Sequence, residues 1–171
     1  MIETERLILR PWTEEDRAFY AALSADPDVM HDYPVLPPRG EVDAKFALYR
    51  DHFETHGFGR WLLERKPDGA ALGFSGLMPV RDDHPLAPGV EISWRLFKPA
   101  WGLGYASEAA RAALADGFGR LGFEEIVSYT SPENTRSQAV MRRAGMIRDP
   151  GRDYARPERL GGRAIVFVAR P

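Results

Sequence analysis

The chain has 171 residues, 44% of them hydrophobic, a formal charge of −2 and no cysteine. That size suits one domain over residues 1–171, able to bury roughly two-thirds of its unfolded surface. The missing cysteines exclude disulfide scaffolds, thiolate zinc sites and cysteine nucleophiles, and the charge argues against a dedicated nucleic-acid binder.

Arg6–Trp12 reads as a strand ended by Pro11. Thr13-Glu-Glu-Asp16 then opens a helix in the manner of a capping box, with Phe19, Tyr20 and Leu23 on its apolar face. Asp26–Arg39 holds four prolines and is expected to be an irregular loop. A second helix is expected over Glu41–His56. Three short runs follow, Gly59–Arg65, Ala71–Val80 and Val90–Phe97, separated by turns that suit antiparallel connections. A long helix is expected over about Gly104–Leu121, with Ala106, Ala110, Ala113, Leu114, Phe118 and Leu121 as one apolar stripe. Glu125–Thr130 is a strand, Thr135–Ala144 a helix stopped by Gly145, and Ala164–Ala169 a final strand. The order implies an α/β domain around one mixed sheet. No apolar run approaches the roughly 20 residues of a membrane span. MIETERLILR lacks the apolar stretch of a signal peptide, so the expected location is cytoplasmic, away from membranes.

Charge is unevenly placed. Residues 131–171 hold nine arginines against four acidic residues, which leaves 14 basic and 21 acidic residues in residues 1–130. Chance placement of surface arginines explains this as well as a local anion site does.

Trp101-Gly-Leu-Gly-Tyr-Ala-Ser-Glu108 joins a strand directly to the long helix. Gly102 and Gly104 permit backbone angles that a Cβ disfavours, and a helix N-terminus presents unpaired N–H groups to an anion. The turn is no P-loop, because no Gly-Lys-Ser/Thr follows, and Ser107 stands where a dinucleotide fingerprint needs its last glycine. By itself the turn serves tight packing equally well.

Val90–Ala110 resembles the acyl-CoA motif of the GNAT superfamily of N-acetyltransferases, Q/R-x-x-G-x-G/A, with Trp101, Gly104 and Ala106 in its fixed positions. Trp101 replaces the usual Gln or Arg. Asn134–Met146 resembles the family's N-x-x-S/A helix that ends in Gly and Phe or Met. Gly73–Leu77, Asp153–Pro157 and the Trp-Gly-x-Gly-Tyr-Ala-x-Glu-Ala run are similar to the ribosomal-protein N-terminal acetyltransferases of the Rim type. The resemblance implies a GNAT fold, with a mostly antiparallel mixed sheet of six to seven strands and about four helices. It implies acetyl-CoA as co-substrate, contacted by Leu96, Trp101, Gly102, Leu103, Gly104, Tyr105, Ala106 and Asn134. The four histidines show no ligand spacing, so no metal is expected.

The implied reaction moves acetyl from a thioester to an amine. Glu91 is the first candidate base, with an ion-paired or solvent-facing strand carboxylate as its plain alternative; Glu158, before the last strand, is the rival. The strength of base required depends on the acceptor, since an α-amine titrates near 7.7–8.0 and a lysine near 10.4. Ser137 is the candidate partner of the leaving sulfur, because Met141 occupies the position where many family members carry a tyrosine donor. Asn134 is either a helix cap or a contact to the pantetheine arm, or both. Arg136, Arg142 and Arg143 are solvated helix arginines or phosphate contacts. A backbone N–H on Glu91–Trp94, freed by a bulge, is the implied oxyanion donor. His31, Asp32, Tyr33, Phe58, Trp61 and Met78 are pocket-wall candidates or ordinary packing.

With no cysteine there is no acetyl-cysteine intermediate, which leaves direct transfer in a ternary complex as the simplest mechanism. The expected acceptor is a peptide or small-molecule amine, with no nucleic-acid partner, and the protein is expected as a monomer or homodimer. The alternative is a catalytically weak acyl-CoA sensor.

Overall fold

The computed structural model describes residues 1–31, 35–157 and 162–171. Within these, β1 (Ile2–Glu3) and β2 (Leu7–Arg10) lead to a 3₁₀ turn at Glu14–Asp16 and helix α1 (Arg17–Ala25). The Asp16 carboxylate accepts from the N–H and hydroxyl of Thr13 at 2.8 and 3.0 Å, so the start signal read in the sequence is used. It begins a 3₁₀ turn before the α-helix. Helix α2 (Arg39–His56) starts two residues earlier than expected. Strands β3 (Arg60–Arg65), β4 (Ala70–Pro79) and β5 (Val90–Leu96) follow, then α3 (Tyr105–Gly119), β6 (Ile126–Thr130) and α4 (Thr135–Arg143). Two-residue strands β7 (Ile147–Arg148) and β8 (Tyr154–Ala155) precede β9 (Arg163–Ala169).

The strand order is β1-β2-β3-β4-β5-β6-β9-β7, with β8 paired to β9. All neighbours are antiparallel except β5 and β6. The α/β class and the mostly antiparallel mixed sheet are as expected. The described residues form nine strands rather than six or seven. The excess is β1, β7 and β8, whose two residues each carry no alternation for a sequence to display.

The sheet is covered on both faces. On one, Ala109, Ala110 and Ala113 of α3 are fully buried against Leu77, Ile92 and Ile126, and Met141 of α4 joins the same core. These alanines bring the helix axis close to the strands, since a methyl is the whole of what separates them. On the other face, Tyr20 and Leu23 of α1 and Phe46 and Tyr49 of α2 enclose Trp12, Leu62 and Phe74. Trp12 stands edge-on to Tyr20 and Phe46, with ring centroids 5.4 and 5.8 Å apart.

Strand β5 is treated differently on its two edges. Toward β4 the ladder runs unbroken from Gly73↔Leu96 to Pro79↔Val90. Toward β6 it consists of one register pair, Glu91↔Val127. Beyond that pair the strands separate. The bulge expected on β5 is absent from its ladder with β4; the register shift in this part of the sheet lies at Leu63/Glu64, between β3 and β4. Divergence of β6, rather than a bulge, is what frees one edge of β5.

The clamp that orients α3 is electrostatic. Glu108 accepts from Thr4 Oγ1 at 2.6 Å, from the Arg6 N–H at 2.8 Å and from Arg6 Nε at 2.7 Å. Arg6 also donates through Nη1 to the Leu103 carbonyl at 2.9 Å and lies 4.6 Å from the centre of the Tyr105 ring. Burial works to raise the Glu108 carboxyl, but the bonds from Thr4 and Arg6 outweigh it and hold the group below its ordinary value of 4.5. Glu108→Ala is expected to cost about 1–3 kcal/mol of stability in urea titrations at neutral pH. Because the native carboxyl is depressed, the wild-type advantage is full above about pH 4.5 and fades as the pH falls through the lowered value.

Candidate active site

The glycine turn sits where β5 ends and α3 begins. Gly102 and Gly104 have φ of +75° and +85°, the left-handed region, and Gly104 is the residue that caps α3. Among the described residues, the backbone N–H groups of Gly102 to Ser107 find no protein acceptor. A Cβ built on Gly102 would meet nothing within 4 Å, so there is open space beside the turn at that residue. Leu103 is 51% exposed, Tyr105 is buried and Ala106 is half-buried. A row of unpaired N–H groups at a positive helix end, facing open space, fits the phosphates of a CoA ester.

Trp101 has a bracing role. Its Nε1 donates to the Leu96 carbonyl at 2.7 Å, and the Arg136 guanidinium lies 4.2 Å from its ring centre. Leu96 itself is buried in the core. Ser128 Oγ donates to the Ile92 carbonyl at 2.9 Å, which shows that the backbone polar groups of Ile92 face β6. The two-residue period of a strand turns those of Trp94 and Leu96 the same way. Serine thus occupies the first carbonyl and tryptophan the last. The N–H and C=O of Trp94 open into the gap between the separated strands.

On the far wall of the gap, Asn134 caps α4 by accepting the Ser137 N–H at 3.0 Å. Gln138, in the second turn of the helix, donates to the Pro132 carbonyl at 2.8 Å. The Ser137 hydroxyl is half-buried, with no hydrogen bond among the described residues. Met141 is 1% exposed and its side chain is committed to the core. Arg142 bonds Gln138 at 3.2 Å and lies 5.5 Å from the Phe167 ring, while the Arg143 carbonyl accepts from Arg111 at 3.0 Å.

Glu91 lies on the opposite face of β5 from Ile92, at the point where β5 and β6 part. One carboxylate oxygen accepts from Arg60 Nη2 and the other from the Tyr129 hydroxyl. Arg60, on β3, is 3% exposed and also donates through Nη1 to the Gly76 carbonyl at 2.5 Å. The ion-paired reading of Glu91 is therefore realised, in a carboxylate whose side chain is 18% exposed. Tyr129 stacks on His84 with ring centroids 4.7 Å apart and meets Tyr154 edge-on at 5.9 Å. His84 Nδ1 accepts the Leu86 N–H at 3.2 Å, so the neutral ring carries its proton on Nε2 and donates it to the Tyr154 hydroxyl at 2.8 Å. Burial lowers the His84 ring, against the pull of Glu91. Burial, reinforced by Glu91, raises the Tyr129 phenol far above its ordinary value, and burial pushes Tyr154 up to about 12. At neutral pH the cluster holds two protonated phenols and a neutral imidazole.

Sequence reasoning placed Glu91 and missed Arg60, His84, Tyr129 and Tyr154. The only available signal was Arg60 leading the apolar run Trp61-Leu-Leu63, an odd place for a charge without a partner. Glu158 lies outside the described residues, as do Asp32 and Tyr33. Met78 pairs across from Glu91 in the ladder, Trp61 is core, Phe58 packs 4.9 Å from His52, and exposed His31 stands 6.5 Å from Trp101. Among the described residues, no group of three His, Asp or Glu side chains could hold a metal ion, and no helix is long and apolar enough to cross a membrane.

The acetyltransferase (GNAT) domain model matches residues 6–147. The chain belongs to the GNAT acetyltransferase family, whose members use acetyl-CoA as co-substrate. It is 43% identical over 152 residues to the uncharacterized N-acetyltransferase YnaD of Bacillus subtilis (strain 168), covering 86% of this chain and 83% of that one. It is 31% identical over 144 residues to the uncharacterized protein YkkB of the same organism, covering 84% and 83%. Among solved structures, an acetyltransferase from Agrobacterium tumefaciens str. C58 superposes with a TM-score of 0.82 at 27% identity, covering 99% of this chain and 94% of that one.

The Arg60–Glu91 pair makes a stability forecast. Arg60→Met removes the cation and leaves a half-buried carboxylate, at an expected cost of about 2–4 kcal/mol in urea denaturation. Arg60→Met combined with Glu91→Gln is expected to recover part of that loss, since no uncompensated charge remains.

Proposed function

We propose that this protein transfers acetyl from acetyl-CoA directly to a primary amine within a ternary complex, as a cytoplasmic N-acetyltransferase of Rim-like type. One observation carries the reading: a single strand separation brings the open row of N–H groups at 102–107 and the Glu91 carboxylate to the same gap from different sides. Gly102 to Ala106 hold the phosphates, with Leu103 and Tyr105 supplying their N–H groups within a turn that Trp101 and Leu96 brace. Asn134, its oxygen occupied by the cap, turns its amide toward the pantetheine arm.

The bound thioester supplies the activated acetyl group. The Trp94 N–H, unclaimed by either neighbouring strand, is placed to hydrogen-bond the developing oxyanion. Glu91 receives the proton of the amine, and the Ser137 hydroxyl, without a hydrogen bond among the described residues, faces the departing sulfur. The acceptor is a protein N-terminal amine or a small-molecule amine; an α-amine, already partly neutral near pH 7.7–8.0, asks least of the base. The buried Met141 favours a second reading, a catalytically weak acyl-CoA sensor, because the position of the usual phenol donor is filled by a core side chain.

Three measurements test these readings. Calorimetry is expected to show acetyl-CoA binding that Gly104→Val weakens at least about tenfold, since a β-branched residue is strained at φ of +85°. Release of free CoA, followed with a thiol reagent across peptides, amino acids, polyamines and aminoglycosides, is expected with at least one amine; binding without release in any of them supports the sensor. Glu91→Gln is expected to lower kcat/KM by about 10²–10⁴ with the amine that works best.

A further inference from the structure

The Glu91 carboxylate is shared between Arg60 and Tyr129. Tyr129 stands two residues beyond Val127, the partner of Glu91 in the β5–β6 ladder, and so projects from the same face just where the strands open. Its single O–H is given to the Glu91 carboxylate. Among the described residues, nothing donates to its oxygen, whose lone pairs remain available. The carboxylate is meanwhile held from its other side by Arg60, which is itself fixed to the Gly76 carbonyl. Glu91 is thus held through one oxygen by buried Arg60 and through the other by half-buried Tyr129. The ring of Tyr129 is held by stacking on His84, which is locked in turn between the Leu86 N–H and the Tyr154 hydroxyl.

We propose that Tyr129 is a catalytic residue, the group that touches the acceptor amine and relays its proton to Glu91. This rests on the amine-acetyltransferase reading above and adds the atom through which the base acts. In the step, the amine nitrogen bonds to the thioester carbonyl carbon and the carbon–sulfur bond breaks, its electron pair leaving on sulfur. The amine proton passes to Tyr129 Oη while the Tyr129 proton passes to Glu91. Afterwards Tyr129 is again a neutral phenol, Glu91 carries the extra proton and releases it to water, and the thiolate, hydrogen-bonded by the Ser137 hydroxyl, takes a proton from water. A phenol this reluctant to ionise suits concerted transfer, because no free phenolate has to form.

The test compares wild type, Tyr129→Phe, Glu91→Gln and the double variant in the CoA-release assay, with acetyl-CoA affinity and thermal midpoint measured alongside. Tyr129→Phe retains the ring and its stacking, so acetyl-CoA affinity is expected to stay within about threefold while kcat falls at least about tenfold. Two groups in one relay are non-additive, so the double variant is expected to be little worse than the poorer single variant. The rate in mixtures of H₂O and D₂O is expected to curve with deuterium fraction for wild type, as two moving protons require, and to lose that curvature in Tyr129→Phe. Activity of Tyr129→Phe within threefold of wild type, losses that multiply in the double variant, or a parallel fall in acetyl-CoA affinity each overturn the relay. A wild type that transfers acetyl to no amine overturns the amine-acetyltransferase reading, and the relay with it.

Discussion

A parallel pair of strands that meets at Glu91 and Val127 and then separates is the constraint on which the rest of this molecule depends. A sheet interior normally satisfies every backbone group, and a parallel pair at its centre has no solvent to fall back on. Here the protein closes the two ends of the opening with side chains, Ser128 on the Ile92 carbonyl and Trp101 on the Leu96 carbonyl. The peptide groups of Trp94, between those two ends, stay available. The opening is therefore built into the sheet, with its ends sealed and its middle left for a ligand.

Two charged assemblies keep the walls of that opening in place. At the mouth, Thr4 and Arg6 hold Glu108, which aims the first turn of α3 and leaves its N–H groups facing outward. At the inner end, Arg60 and Tyr129 hold Glu91. Both assemblies tie elements distant in sequence, and both satisfy their carboxylates with several donors. That arrangement is what makes partly buried charge tolerable. Among the described residues, the arginine-rich C-terminal quarter contributes to neither. Several of its arginines serve ion pairs and ring contacts, among them Arg152 with Glu125 and Arg136 with Trp101.

The elements with long, periodic patterns were legible. Helix α3, strands β3 to β6 and β9, and the Asn134 cap fall within a residue or two of their expected bounds, because alternation, helical spacing and capping residues are local properties. The short strands β1, β7 and β8 were not, since pairing with a neighbour is all that makes them strands. The same division runs through the site. Gly102 and Gly104 announce their turn by being glycines. Arg60, His84, Tyr129 and Tyr154 are ordinary residues until β3, β6, β8 and the 81–89 connection bring them around Glu91.

The sequence by itself determined that a glycine turn meets a helix start, that Glu91 faces away from Val90 and Ile92, and that no cysteine of the chain takes part in the chemistry. Those follow from residue identity and from the two-residue and 3.6-residue periods. Only the tertiary structure decided that β5 and β6 diverge without a bulge, that Met141 belongs to the core, and that Glu91 is shared between an arginine and a tyrosine. Register between strands and the direction in which two of them part depend on how both faces of the sheet are packed, and no stretch of chain encodes that packing alone.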